Sequence, residues 1–393
     1  MVGSMEWMYT ALLKKASTSW WVSLCLFPLA LLSSFFYVGV VVRRWWLLRR
    51  CRCRTTKAHL ITVGNVTVGG TGKTPLIALL LSQLSGVVGV ASRGYRRRGK
   101  GLYVFRGSEC NSEKSGDEAS LLARRFPNVL FSVCEDKWRA VQALDGLCDT
   151  ILLDDGLQRY DIPSDATIAT IDCGCPDGYG WLLPRGLLRE PFRWLARADY
   201  LVITNADKSL PCLLASLASF ARPIIVTVPK ITRFFSADGA TRTIPLHGPV
   251  ALLSGIARPE RFRRSMASLG YRILDHRILP DHGTISVEEV QSWMEGLRSR
   301  SSGVVFVATE KDWARQRWPD DLLFSEMDLE VTSILENSTE CTTSSAHRLF
   351  PQSGSGIFPH FYWGLGSPLR SRRRFAVGKI LVCPCSRRSR NER

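Results

Sequence analysis

Residues 64–75 read GNVTVGGTGKTP. Glycines placed just ahead of Lys73 and Thr74 let backbone amides converge on phosphate oxygens, with a lysine cation and a threonine hydroxyl suited to phosphate and magnesium. The usual pattern, G-x-x-x-x-G-K-[ST], is met at Gly72, Lys73 and Thr74, while Thr67 stands in the first glycine position. Gly69 and Gly70 keep the loop permissive. The phosphate-binding candidates are therefore Thr67, Val68, Gly69, Gly70, Thr71, Gly72, Lys73 and Thr74. Such a loop can also be a plain turn; the order strand, loop, GKT, helix favours nucleotide. Next comes TILLDDGLQRYD, residues 150–161, an apolar strand ending in Asp154 and Asp155. Carboxylates at a strand's end, behind a phosphate loop, hold magnesium or its waters. Alone they would make a solvated turn. Weaker segments are SRGYRRRG (92–99), SGDEASLLARR (115–125), PRGLLREP (184–191), LPDHGTIS (279–286) and ATEKD (308–312). Taken singly, GDE is a helix N-terminus, and His282 in PDHG is more often structural than catalytic.

These residues need a sheet to position them. Short runs rich in Val and Ile begin at residues 59, 87, 129, 150, 167, 200, 223, 250 and 304, separated by stretches long enough for crossover helices. That pattern predicts an α/β protein with a parallel sheet covered on both faces. Beyond about Thr332 the pattern dissolves into Ser, Thr, Gly and Arg, and no fold is assigned.

Ahead of the sheet, residues 20–42 form an uncharged run of 23 residues, about the length of a membrane-crossing helix. Trp20, Trp21, Trp45 and Trp46 flank it as interfacial aromatics would. Pro28 could kink the helix, which leaves a shallow, one-leaflet placement open. A cleaved signal peptide is the rival reading; it would have a shorter apolar core and a small-residue cleavage site. The net charge of +17 first suggests nucleic acid, but residues 43–57 contribute +7 and residues 370–393 contribute +8. With the charge at the two ends and no aromatic-interleaved basic surface, no nucleic-acid partner is expected. The first cluster suits anionic lipid and places the rest of the chain on the cytoplasmic or equivalent side. The C-x-C pairs at Cys51/Cys53, Cys173/Cys175 and Cys383/Cys385 lack structural-zinc spacing, so the cysteines read as reduced.

Taken in order, GNVTVGGTGKTP, SRGYRR, GDEA, DDGLQR, PRGLLREP, SGIARPERF (254–262), LPDHG and TEKD resemble the tetraacyldisaccharide 4'-kinase family. The likeness runs from the apolar N-terminus to about residue 331. That family also carries threonine where Thr67 stands. The resemblance implies ATP- and Mg²⁺-dependent transfer of the γ-phosphate to the 4'-hydroxyl of tetraacyldisaccharide 1-phosphate, giving lipid IVA. It implies an N-terminal membrane anchor and basic segment (1–57), a P-loop kinase core (58–205) and a smaller α/β subdomain (206–331) closing the cleft; the irregular basic tail (332–393) lies beyond the likeness. On matched positions, Lys73 and Thr74 serve phosphate and metal, and Asp154 and Asp155 the metal region. Asp117 takes the sugar hydroxyl's proton, and His282 orients Asp117. Tyr95, Gln158, Arg159, Arg189 and Glu190 contact substrate or line the site. Glu310, Lys311 and Asp312 lie near the nucleotide base. Two positions depart from the family pattern: Arg159 replaces a histidine after DDGLQ, and Gly283 replaces a second histidine after PDH. A lipid disaccharide and a membrane surface are the expected partners, with no obligate protein partner. The home would be a bacterial inner membrane or, in a eukaryote, an organelle membrane such as the mitochondrial.

Two other readings use the same residues. A membrane-associated P-loop ATPase or GTPase would share the loop, but NADK (205–208) and TEKD (309–312) lack the N/T-K-x-D spacing for guanine. A degenerate kinase fold kept as a binding module would fit Arg159 and Gly283, but not the retention of Lys73, Asp117, Asp154 and His282.

Overall fold

The computed structural model describes residues 26–51, 54–95, 97–256, 258–280 and 285–335. His282, Gly283 and everything after Leu335 lie outside them, as do Trp20, Trp21, Cys53 and the Cys383/Cys385 pair. In chain order the elements are α1 (Phe27–Cys51), β1 (His59–Gly64), α2 (Lys73–Gln83), β2 (Val88–Ser92), β3 (Tyr103–Arg106), α3 (Ser112–Ser115) and α4 (Asp117–Arg125). They continue with β4 (Leu130–Val133), α5 (Lys137–Leu144), β5 (Thr150–Asp154), β6 (Ala166–Asp172), β7 (Tyr200–Thr204), α6 (Leu210–Leu217) and β8 (Ile224–Phe235). Last come β9 (Thr241–Arg242), β10 (Pro249–Ser254), α7 (Pro259–Ser268), β11 (Arg272–Ile278), α8 (Val287–Arg298), β12 (Val305–Thr309), α9 (Glu310–Trp313) and β13 (Leu322–Leu335).

All nine strand expectations correspond to strands, and the α/β class holds, but the sheet is mixed rather than purely parallel. Its order is β11-β10-β12-β13-β8-β7-β6-β1-β5-β2-β4-β3, with β9 paired to β8. One parallel block is β7-β6-β1-β5-β2-β4, and a second is β11-β10-β12-β13. The long strands β8 and β13 run antiparallel and join the two. The periodicity argument passed over β3, β9, β11 and β13. Polar and charged residues interrupt them, as in the RILDHRI of β11 and the SEMDLEV of β13, so no continuous apolar run marks them.

Burial follows from the sequence pattern. Strands β1, β2 and β5 are apolar and buried through nearly their whole length, as covered parallel strands must be. Helix α2 places Leu76, Ile77, Ala78 and Leu81 against this block. Pro75 is tolerated there because the first helical turn has no backbone partner to lose. Two further apolar clusters draw only on residues 231–324, under α7 and around α8.

Pro28 sits in the first turn of α1 and produces no break; Trp45 and Trp46 lie inside the helix rather than beyond it. Residues Ala30, Ser33, Tyr37, Val40, Arg44 and Leu47, spaced three and four apart, form one buried or half-buried stripe. Ser33 donates to the Leu182 carbonyl (2.8 Å) and accepts from the Arg185 amide (3.1 Å). Arg193 donates to Tyr37 (3.3 Å), and Arg43 to the Gln158 carbonyl (3.4 Å). The other sides expose Phe27, Leu31, Phe35, Val38, Val42 and Trp45. Phe27–Arg50 is long and apolar enough to cross a membrane.

Candidate active site

Strands β1 and β5 are parallel neighbours, with Val63 opposite Asp154, so the loop after β1 and the acids ending β5 emerge at one edge. In an open α/β sheet that carboxyl edge is where ligands bind. The loop is shaped for close approach. Gly69 and Gly72 have φ of 105° and 79°, which suit glycine, and a Cβ at Gly69 or Gly70 would meet nothing within 4 Å. Thr71 is held by Thr170 (2.8 Å) and by a bond from Thr204 to its carbonyl (2.9 Å). The Val68 amide donates to the Leu187 carbonyl (2.7 Å), and the Arg189 amide to the Val66 carbonyl (2.7 Å), which ties PRGLLREP to the loop. Thr67 and Thr74 are buried; Val68, Gly69 and Gly70 are exposed.

Lys73 Nζ lies 3.1 Å from Asn65 Oδ1 and 3.4 Å from Asp155 Oδ1. Asp155 adopts a left-handed φ of 51°, a strained conformation for a non-glycine residue that an aspartate tolerates better than most. Arg189 grips it through both terminal nitrogens at 3.0 and 2.9 Å and also bonds the Asn65 carbonyl at 2.9 Å. Gln158 donates to the same carbonyl (2.8 Å). Lys137 bonds the Asp155 carbonyl and stands 3.7 Å from its carboxylate. Burial pushes the Asp155 carboxyl upward, but Lys73, Arg189 and Lys137 outweigh it and hold the group well below the usual range. Asp154 goes the other way. Burial, reinforced by Glu118 and opposed by Lys73, pushes its pKa up to about 7.

One oxygen of Asp154 is buried with no hydrogen-bond partner, as is Arg189 Nε. A buried carboxylate oxygen left this way is costly unless a cation meets it. Together with the Thr74 hydroxyl and Asp155, it makes a hard-oxygen donor set that fits magnesium.

Asp117 opens α4 directly after Gly116, whose φ and ψ of 84° and 166° belong to glycine's region. A Cβ on Gly116 would lie 2.5 Å from the Tyr95 carbonyl, so the SRGY turn is pressed against the residue preceding Asp117. Tyr95 itself is exposed. Gly116→Ala is expected to cost about 1–3 kcal/mol of unfolding free energy, read by urea denaturation. An unchanged midpoint would mean that the turn relaxes freely.

Other expected site residues are engaged elsewhere. Arg159 bonds Asp161 (2.8 and 2.9 Å) and Asp136 (3.1 Å), beside Arg54, which also pairs with Asp161. Glu190 is buried, accepting from Tyr160 (3.0 Å) and Arg197 (2.5 Å). Asp312 caps α9 through Thr309 (2.6 Å) and binds the Gly255 amide and Arg315, while Lys311 is exposed. Glu310 belongs to a second cluster centred on Arg125, which lies 3.8 Å from Glu310 and 3.2 Å from Glu326 and bonds Asp328. That cluster lines a cavity of about 390 Å³ between α4, α9 and the β8–β13 pair. His282 lies outside the described residues. Asn65, Glu118 and Lys137 were missed by sequence reasoning. Asn65 and Glu118 sit inside GNVTVGG and GDE and could have been drawn from them; Lys137 carries no motif signal.

Burial, opposed by Arg125 and reinforced by Glu326 and Asp328, raises the Glu310 pKa from 4.5 to about 7. Such a group adds stability that is complete below the unfolded value and is lost as pH rises through the folded one. Between pH 4.5 and 7 the unfolding free energy should therefore fall by about 3 kcal/mol from this group. Glu310→Gln should flatten that part of the stability profile; an unaltered slope would assign it to other groups.

A parallel block of strands with this loop, and with a lysine, an arginine and two aspartates gathered at its carboxyl edge, defines a P-loop nucleotide-binding phosphotransferase. The sequence profile of the tetraacyldisaccharide-1-P 4'-kinases (LpxK) matches residues 23–343, and the chain belongs to that family. It is 32% identical over 269 residues to a tetraacyldisaccharide 4'-kinase of Chlorobaculum tepidum, covering 65% of this chain and 76% of that one. An enzyme of the same name from Anaeromyxobacter sp. (strain Fw109-5) is 33% identical over 314 residues, covering 73% and 82%. In fold it is similar to the crystal structure of LpxK from Aquifex aeolicus in complex with ATP, with a TM-score of 0.61 and 21% identity over 83% of this chain and 99% of that one.

Proposed function

We propose that this chain is a membrane-bound lipid kinase that transfers the γ-phosphate of ATP to the 4'-hydroxyl of tetraacyldisaccharide 1-phosphate, forming lipid IVA in lipid A biosynthesis. The observation that carries this reading is the buried, unpartnered Asp154 oxygen beside the Lys73–Asp155–Arg189 cluster at a phosphate loop.

Phosphoryl transfer is mostly positioning and charge neutralisation. The amides of residues 67–74 cradle the phosphates, and Lys73 turns from Asp155 toward the β- and γ-phosphate oxygens. Thr74, Asp154 and Asp155 would hold magnesium, which would supply neutralisation of the charge on the transferring group. Arg189 and Lys137 keep Asp155 ionised and fixed. Asp117 accepts the proton of the sugar hydroxyl late in the transfer, with His282 orienting it. Tyr95, Gln158 and Arg189 line the path of the sugar. The cleft lies between residues 58–205 and 206–331; the apolar clusters confined to residues 231–324 favour a separate C-terminal core, while Leu210–Val226 pack with the first.

Helix α1 lies along the catalytic unit by one stripe and leaves its other sides apolar, as in a helix lying in the membrane interface. Arg49 and Arg50 stack on Trp45 and Trp46 at 3.7 and 3.6 Å, where both can meet headgroups.

The test is a kinase assay in detergent micelles with ATP, magnesium and tetraacyldisaccharide 1-phosphate, read by mass. A gain of one phosphate is the expected result. Intact ATP binding with no phosphorylated lipid would overturn the acceptor assignment.

A further inference from the structure

Arg44 of α1 stands with its guanidinium 4.3 Å from the Trp194 ring and 5.1 Å from the Tyr160 ring, and the two rings meet edge to face. The Tyr160 hydroxyl donates to Glu190, which is 1% exposed. The residue before Glu190 is Arg189, the clamp on Asp155 and Asn65, which are in turn the two partners of Lys73. Contacts therefore run unbroken from the N-terminal helix to the P-loop lysine. Their length and burial are uneven with a mere tether: a helix needed only to hold the protein at a surface has no use for a cation wedged between two aromatic rings of the catalytic loops.

We infer that Arg44 is a positioning residue, through which the seating of α1 holds the Arg189–Glu190 segment, and with it the Lys73–Asp155 pair, ready for phosphoryl transfer. This rests on the kinase reading above. Stacking of an arginine on two rings is attractive and geometrically selective, because the planar guanidinium has to lie over the ring faces. Glu190 cannot shift without breaking bonds to Tyr160 and Arg197. The Arg189 amide, bonded to the Val66 carbonyl, ties the same segment to the start of the phosphate loop. A helix lifted from the core loosens that chain at its first link.

The experiment uses the full chain in mixed micelles, with Arg44→Ala, Arg44→Lys, Tyr160→Phe and the Arg44→Ala/Tyr160→Phe pair. Arg44→Ala should lower kcat about tenfold, the size expected of coupling through packed groups, with KM for ATP within about twofold. Binding to vesicles of phosphatidylethanolamine and phosphatidylglycerol should be unchanged, and Arg44→Lys should recover part of the rate. Because both substitutions cut one chain, the pair should be no slower than the slower single variant. A wild-type kcat in Arg44→Ala, a loss that tracks vesicle binding, or losses that multiply in the pair would each overturn the inference. If the wild type itself phosphorylates no lipid, the kinase reading fails separately. Hydrogen exchange then decides: Arg44→Ala should speed exchange at the Val68 and Arg189 amides about tenfold, and unchanged exchange overturns the coupling.

Discussion

Lys73→Ala should lose on the order of 10²–10³ in kcat while ATP affinity falls far less, since one preorganised charge contact to the transition state is worth about that much. The surroundings of Lys73 make a larger loss reasonable. Its ammonium lies 3.4 Å from Asp155 and also favours ionisation of the buried Asp154, whose pKa of about 7 is already high. Without it, Asp154 ionises less readily, so magnesium has to displace a proton over a wider pH range. The variant should need more magnesium, and need it most at low pH. Single-turnover rates at varied magnesium and pH provide the check. A near wild-type rate at saturating ATP would remove Lys73 from the chemistry.

Asp117→Ala should separate binding from transfer even more cleanly. Asp117 begins α4, beside the Gly116–Tyr95 contact, while the phosphate loop is built by other residues. ATP affinity should stay within a few-fold, and phosphate transfer should fall on the order of 10²–10⁴, as loss of a positioned proton acceptor does. Isothermal titration with ATP and mass-read transfer to lipid distinguish the two effects. Should the variant lose ATP binding yet retain chemistry, the proton acceptor is another group.

Much of this site was legible in the sequence because its parts are local. The phosphate loop and Asp154–Asp155 each fall at a strand's end, where a run of apolar residues stops and chemistry begins. What could not be read was pairing at a distance. Nothing in DDGLQR tells that Arg159 turns to Asp136 and Asp161, or in REP that Glu190 is buried under Tyr160 and Arg197. Lys137 carries no motif; it matters because α5 brings it under Asp155. The strands behaved alike. Buried parallel strands announce themselves as continuous apolar runs, whereas β11 and β13 are interrupted by charged residues and blend with their surroundings. That difference hid the antiparallel β8–β13 pair, and with it the mixed character of the sheet.

The single inward stripe of α1 also sets an order of events during synthesis. Ser33 bonds a residue 149 positions later in the chain, and Arg43 one 115 positions later. At about 5–20 residues per second, the helix leaves the ribosome roughly 6–30 s before the loops that seat it exist. Through that interval Ala30, Tyr37, Val40 and Leu47 of the inward stripe have no protein surface to meet. The helix thus exists before the core that seats it, and the loops after β5 and β6 fold against a segment made long before them.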